Sequence, residues 1–188
     1  MDAFSYLSVL LSIILGLGLT QLLTSVGRLI RHRDRVRADW LPLLWVAVLL
    51  VLYVQVWWTM FGLRSLRVWT FIAFLTVVAQ TITLYMMAAV ILPDQVDDAG
   101  VDLAAHYDRQ HRWFFGFFLA TLFISIAKDL VIAGHLPGPA NLVFHGLLAV
   151  VCIVGGMARN RRIQEVLSIV GAVAVATYIC LLFTRLQS

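Results

Sequence analysis

Six runs of about twenty apolar residues follow one another with little between them, at roughly 5–30, 41–63, 68–92, 113–133, 140–158 and 164–184. Each is long enough to carry an α-helix through a hydrocarbon core about 30 Å thick. Closed β-barrels also cross bilayers, but their strands alternate polar and apolar residues, whereas these runs are continuously apolar. The connections leave no room for a soluble domain. The sequence therefore predicts an all-α integral membrane protein, a six-transmembrane-helix bundle forming a single domain over residues 1–188. Its one long loop, at 93–112, is acidic. Composition agrees: 62% of residues are hydrophobic and 13% charged, against about half and a quarter in soluble domains.

Arginines near the span ends set the expected orientation. The first loop carries Arg28, Arg31, Arg33, Arg35 and Arg37, the third Arg109 and Arg112, and the fifth Arg159, Arg161 and Arg162. Ten basic residues thus flank the odd-numbered loops, against Arg64, Arg67 and Arg185 opposite. This asymmetry places the odd loops in the cytoplasm and both termini on the outer (periplasmic or extracellular) side, in a cell membrane of the bacterial inner-membrane type. The chain begins MDAFSY rather than with a basic leader, so the first run is read as a permanent span. The basic balance suits anionic lipid head groups on the cytoplasmic side and not nucleic acid. Trp40 and Trp113 fall at one set of span ends and Trp57, Trp58 and Trp69 towards the other, as interfacial indoles do, while Trp45 lies deeper and reads as packing. Three spans per half give the halves opposite topology, as in inverted-repeat transporters, but no residue match between them supports a repeat.

Polar residues inside these spans need a reason to be there. Ser8, Ser12, Gly16, Thr20 and Thr24 recur every fourth residue and form one stripe on the first helix. Small residues let helices approach closely, so the stripe reads as a helix-packing seam, within the chain or in a homo-oligomer or membrane complex. A hydroxyl-lined solute path is the alternative. Gln21, Gln55 and Gln80 put one amide in each of the first three spans and read as cross-braces between helices. Lys128 and Asp129 interrupt FISIAKDLVIAGH near the outer end of span four. The lysine stem can snorkel towards that end, where a cation suits a helix C-terminus. Asp129 is harder to accommodate: it is short, its charge opposes the helix dipole, and it continues a Thr121, Ser125 stripe. Intramembrane ionisable groups are candidate functional groups. With Gln55, His145 and Tyr178 expected at similar depth, the residues Gln55, Lys128, Asp129, His145 and Tyr178 form the candidate ligand or ion pocket.

Metal and cofactor signals are weaker. The second half of the acidic loop reads as helix running into span four, which aligns Asp98, Asp102 and His106 at i, i+4 and i+8, a spacing able to present ligands to one divalent ion. Pairing between that loop and the arginine-rich first loop is the simpler expectation, as a latch between the halves. Cys152 and Cys180 lack CxxC spacing and read as buried structural thiols. Haem would want histidines on facing helices, which leaves His135 and His145; quinone could use the tryptophans and His145; no cofactor is specified. Motifs of membrane enzymes are missing: HExxH, GxSxG and paired intramembrane aspartates do not occur. The function read from the residues is a small ion or solute transporter or channel with an outer-half polar pocket. The alternatives are a non-catalytic accessory or scaffold subunit, and a haem- or quinone-binding membrane protein.

Overall fold

Each apolar run becomes one helix. The computed structural model describes residues 3–66, 68–97 and 100–182. Helix α1 spans Ala3–Arg31, α2 Trp40–Met60, α3 Phe71–Ile91, α4 Leu103–Ala133, α5 Pro139–Met157 and α6 Arg161–Leu182. All six are long and apolar enough to cross a membrane, and the chain is a multi-pass helical membrane bundle.

The helix ends follow local chemistry more than hydropathy. Asp39 opens α2, its carboxylate accepting from Leu41 N at 2.8 Å. Thr70 opens α3 by accepting from Ala73 N at 3.1 Å, so this helix starts at Phe71 rather than at 68. Helix α2 ends at Met60 and tightens into a 3₁₀ turn over Phe61–Ser65. The largest departure is α4, which begins at Leu103, ten residues before its apolar run. Asp102 caps it through Ala104 N and Ala105 N, and the polar extension buries Leu103, Tyr107 and His111 on one side. Gly134, at φ +73°, closes the same helix in the left-handed conformation that glycine adopts without strain.

Helices α2, α3, α4, α5 and α6 pack into a ring in which each touches the next and α6 returns to α2. Helix α1 lies outside the ring, against α2 and α3. Near the middle, Trp45 of α2 crosses the ring to Phe114, Phe115 and Phe118 of α4, with ring centroids 5.1, 5.5 and 5.8 Å away. None of these four side chains is more than 2% exposed. The Trp45 indole donates to Ser168 Oγ of α6 at 3.0 Å, and Arg161 at the start of α6 holds Asp39 at 2.5 Å.

The two charged loops meet. Val36–Arg37 (β1) pairs in parallel with Val101–Asp102 (β2), and Arg37 lies 3.6 Å from Asp102. A Cβ at Gly100, whose φ is +83°, would stand 2.6 Å from the Arg35 carbonyl oxygen, so the latch needs glycine there.

The four-residue stripe of α1 does not pack inside the chain. Gly16, Thr20 and Thr24 are exposed, Ser8 and Ser12 only partly buried, and a Cβ at Gly16 would meet nothing within 4 Å. The buried face carries Leu11, Leu15, Leu22, Ser25 and Leu29, with Gly18 among them. The reason is a close approach one residue-pair along: Tyr53 lies over Gly18, where an added Cβ would fall 1.9 Å from the phenol oxygen. Gly18→Ala is therefore expected to lower stability by about 1–3 kcal/mol through overpacking, read as a lower unfolding temperature in detergent, whereas Gly16→Ala leaves it unchanged. Because the buried Tyr53 hydroxyl has no hydrogen-bond partner among the described residues, Tyr53→Phe should be tolerated and should recover part of the Gly18→Ala loss.

Candidate functional site

Above the aromatic cluster the ring does not close. A cavity of about 310 Å³ remains, at the lower end of the size range of small-molecule sites. Its lining comes from all five ring helices and the 3₁₀ turn after α2, and α1 contributes nothing. Gln55, Lys128, Asp129, His145 and Tyr178 all line it. So do Thr59, Gln80, Thr121, Ser125 and Asn141. The apolar remainder includes Leu84, Met87, Phe118 and Leu148. From Asp129 to Phe118 is eleven residues of one helix, or about 16 Å of axis, so the charged groups sit near the end of the bundle and the apolar floor near its middle.

Lysine 128 does not snorkel. Its ammonium donates to Gln80 Oε1 at 3.1 Å, and Gln80 stands about 14 Å into α3 from that end of the bundle. Side chains of a helix lean towards its N-terminus, which for α4 points to the middle of the bundle. The lysine is thus aimed inward, where an amide oxygen receives it. Gln80 was readable as a brace; its partner was not, because only the α3–α4 contact brings the two together. Asp129, about 100° round the helix from Lys128, makes no ion pair among the described residues and faces the cavity with Ser125 and Thr121. Thr121 is anchored by Thr83 Oγ1 at 2.8 Å and by the Phe117 carbonyl at 2.9 Å.

Asn141 organises the opposite wall. Its backbone carbonyl accepts from His145 Nδ1 at 2.9 Å, and its side-chain oxygen accepts from the Tyr178 hydroxyl at 3.3 Å. A carbonyl can only accept, so the His145 proton sits on Nδ1 and Nε2 carries the lone pair in the neutral ring. The Tyr178 ring stands edge-on to His145 at 5.9 Å and holds it upright. His145 is only 6% exposed. The cavity thus offers a cation, an anion, an imidazole, three amides and four hydroxyls within a space no larger than a small metabolite.

The remaining candidates lie elsewhere. Asp98 is outside the described residues. Asp102 is the α4 cap, and His106 Nε2 donates to the Val90 carbonyl at 3.1 Å, so both are held by other partners. Among the described residues no three His, Cys, Asp or Glu side chains gather in a metal-holding group. His135 is exposed between α4 and α5, away from the cavity lining. Gln21 braces α1 to the acidic loop, donating to Asp94 at 3.0 Å. Cys152 is buried, whereas Cys180 is exposed on α6. No family model, curated protein or solved structure matches this chain, so its chemistry is read from the cavity itself.

An open cavity admits small reagents. With Cys152 and Cys180 replaced by serine, Ser125→Cys should react with a small charged thiol reagent in membranes, while Ala174→Cys, 5% exposed and off the cavity, should stay unmodified. A Ser125→Cys as unreactive as Ala174→Cys would show that the cavity is closed to water.

Proposed function

We propose that the chain is a small transporter, binding an ion or a small polar solute in the five-helix cavity. The observation that supports it is the convergence of Lys128, Asp129 and His145, drawn from two helices, on one space with an apolar floor. Ionisable groups inside a membrane protein mark solute paths and proton relays. His145 has Nδ1 committed to a carbonyl, which leaves Nε2 free to take up a proton, and Asp129 lacks an ion-pair partner among the described residues. These two are the groups assigned to ion coupling. Lys128, held by Gln80, is the fixed positive charge that orients an anionic or carbonyl part of the solute. Gln55, Asn141 and Tyr178 supply neutral hydrogen bonds.

The buried Trp45, Phe114, Phe115 and Phe118 favour a transporter over an open channel, because a continuous pore has no room to pass them. The ten-to-three arginine bias assigns the cavity to the outer half, with both termini outside and the arginine-rich loops in the cytoplasm. On this reading the cavity loads from outside.

Asp129→Asn and His145→Ala are each expected to cut flux at least about tenfold, the scale of losing one charged hydrogen-bonding group, while membrane insertion is kept. The measurement is proton-coupled uptake in reconstituted vesicles, with an internal pH dye and a panel of small ions and zwitterions. Uptake indifferent to both substitutions would sink the reading.

A further inference from the structure

A second recess lies at the opposite end of the bundle, where α4 begins and the α5–α6 turn passes it. Its volume is about 380 Å³, and Arg109, Arg112, Arg159 and His111 are in its wall. The three arginines are exposed and have no ion-pair partner among the described residues. Arg161, close by in sequence, is already bound to Asp39 and Glu165. The one acid in the wall is Asp108, so positive charge dominates. Gln164 completes the wall and is saturated: its oxygen accepts from Tyr107 at 3.1 Å, and its nitrogen donates to the Gly155 and Ala158 carbonyls at 2.6 and 2.8 Å.

His111, in the same wall, is only half satisfied. It is only 7% exposed, its Nδ1 donates to the Asp108 carbonyl at 2.9 Å, and its Nε2 is buried with no hydrogen-bond partner among the described residues. An orphaned polar atom at such burial calls for a missing partner. Three guanidinium groups select an oxyanion. Nε2 adds a finer requirement. As a lone pair it wants a proton from the ligand; as an N–H it gives one. A phosphomonoester meets both conditions, since its second ionisation lies near neutrality, whereas sulfate and phosphodiesters bring no such proton.

We propose that this recess binds a phosphomonoester-type oxyanion, gripped by Arg109, Arg112 and Arg159 and sharing one proton with His111 Nε2. The phosphate can be dissolved or can be the head group of a lipid. Trp113, 64% exposed next to Arg112, sets the recess at the depth where indoles and head groups meet. The site is separate from the five-helix cavity, with the aromatic cluster between them, and does not depend on transport.

The test uses the full chain in phosphatidylcholine nanodiscs near neutral pH. One arm titrates inorganic phosphate and sulfate calorimetrically. The other adds phosphatidate or phosphatidylglycerol to the nanodiscs and counts lipid adducts by native mass spectrometry. Saturable binding is expected in at least one arm, with phosphate favoured over sulfate, or phosphatidate over phosphatidylglycerol, by about tenfold. Arg112→Gln and Arg159→Gln should each weaken it by about tenfold; both side chains are exposed, and an unchanged unfolding temperature confirms the fold. His111→Gln should erase the preference for the monoester while leaving weaker binding in place. Binding in the first arm alone identifies a dissolved ligand, and in the second alone a lipid; either upholds the site. Binding absent from both arms, indifferent to the arginine substitutions, or equal for sulfate and phosphate overturns it.

Discussion

The structure is governed by the penalty for stranding a polar group in hydrocarbon, which amounts to several kcal/mol for an amide or hydroxyl without a partner. The backbone answers by folding into six helices, whose groups bond internally. Many polar side chains answer by pairing across the ring or by lining a cavity. Thr121 finds Thr83, Trp45 finds Ser168, Lys128 finds Gln80, and the Gln164 amide is fully occupied. Each such bond contributes only about 1 kcal/mol of association. Their effect is selective rather than adhesive: they dictate which helix faces stand opposite which.

That logic explains what could be read in advance. The spans were legible because length and apolarity are local. The grouping of Gln55, Lys128, Asp129, His145 and Tyr178 rested on depth alone, and depth follows from residue counts along straight helices. All five do surround one space. The inward aim of Lys128 was missed because snorkelling and pairing are both open to a lysine five residues from a helix end, and only the neighbour decides. The early start of α4 was legible in outline, since the second half of the acidic loop reads as helix running into span four, but its exact start was not. Its first ten residues are polar, and what makes them helical is the Asp102 cap and the burial of Tyr107 and His111, neither of which hydropathy records.

Helix order was not legible either. When lipid and core are equally apolar, a helix shows no contrast between its inward and outward faces, so sequence cannot say which faces turn in. The small-residue stripe of α1 looked like the natural contact and turned out to face away, while the contact that forms is a single glycine beneath a tyrosine. The packing also differs between halves: α1 lies along α3, but α4 and α6 do not lie along one another. Opposite topology in the two halves is thus arithmetic, from three spans each, and no structural repeat accompanies it.

A ring of five helices has a geometric consequence. Successive helices joined by short turns run in opposite directions, so an odd ring must somewhere set two like-directed helices side by side. Here they are α2 and α6, and no turn connects them. They are fastened instead by Asp39 with Arg161 and Trp45 with Ser168, contacts separated by 122 and 123 residues in sequence, as a parallel register requires. Both fasteners lie in the half remote from Gln55 and Tyr178, where the same two helices stand apart across the cavity. The seam is a clasp shut at one end. Any widening of the cavity that keeps those two fasteners must splay α2 from α6 about the shut end, by tilting rather than by sliding.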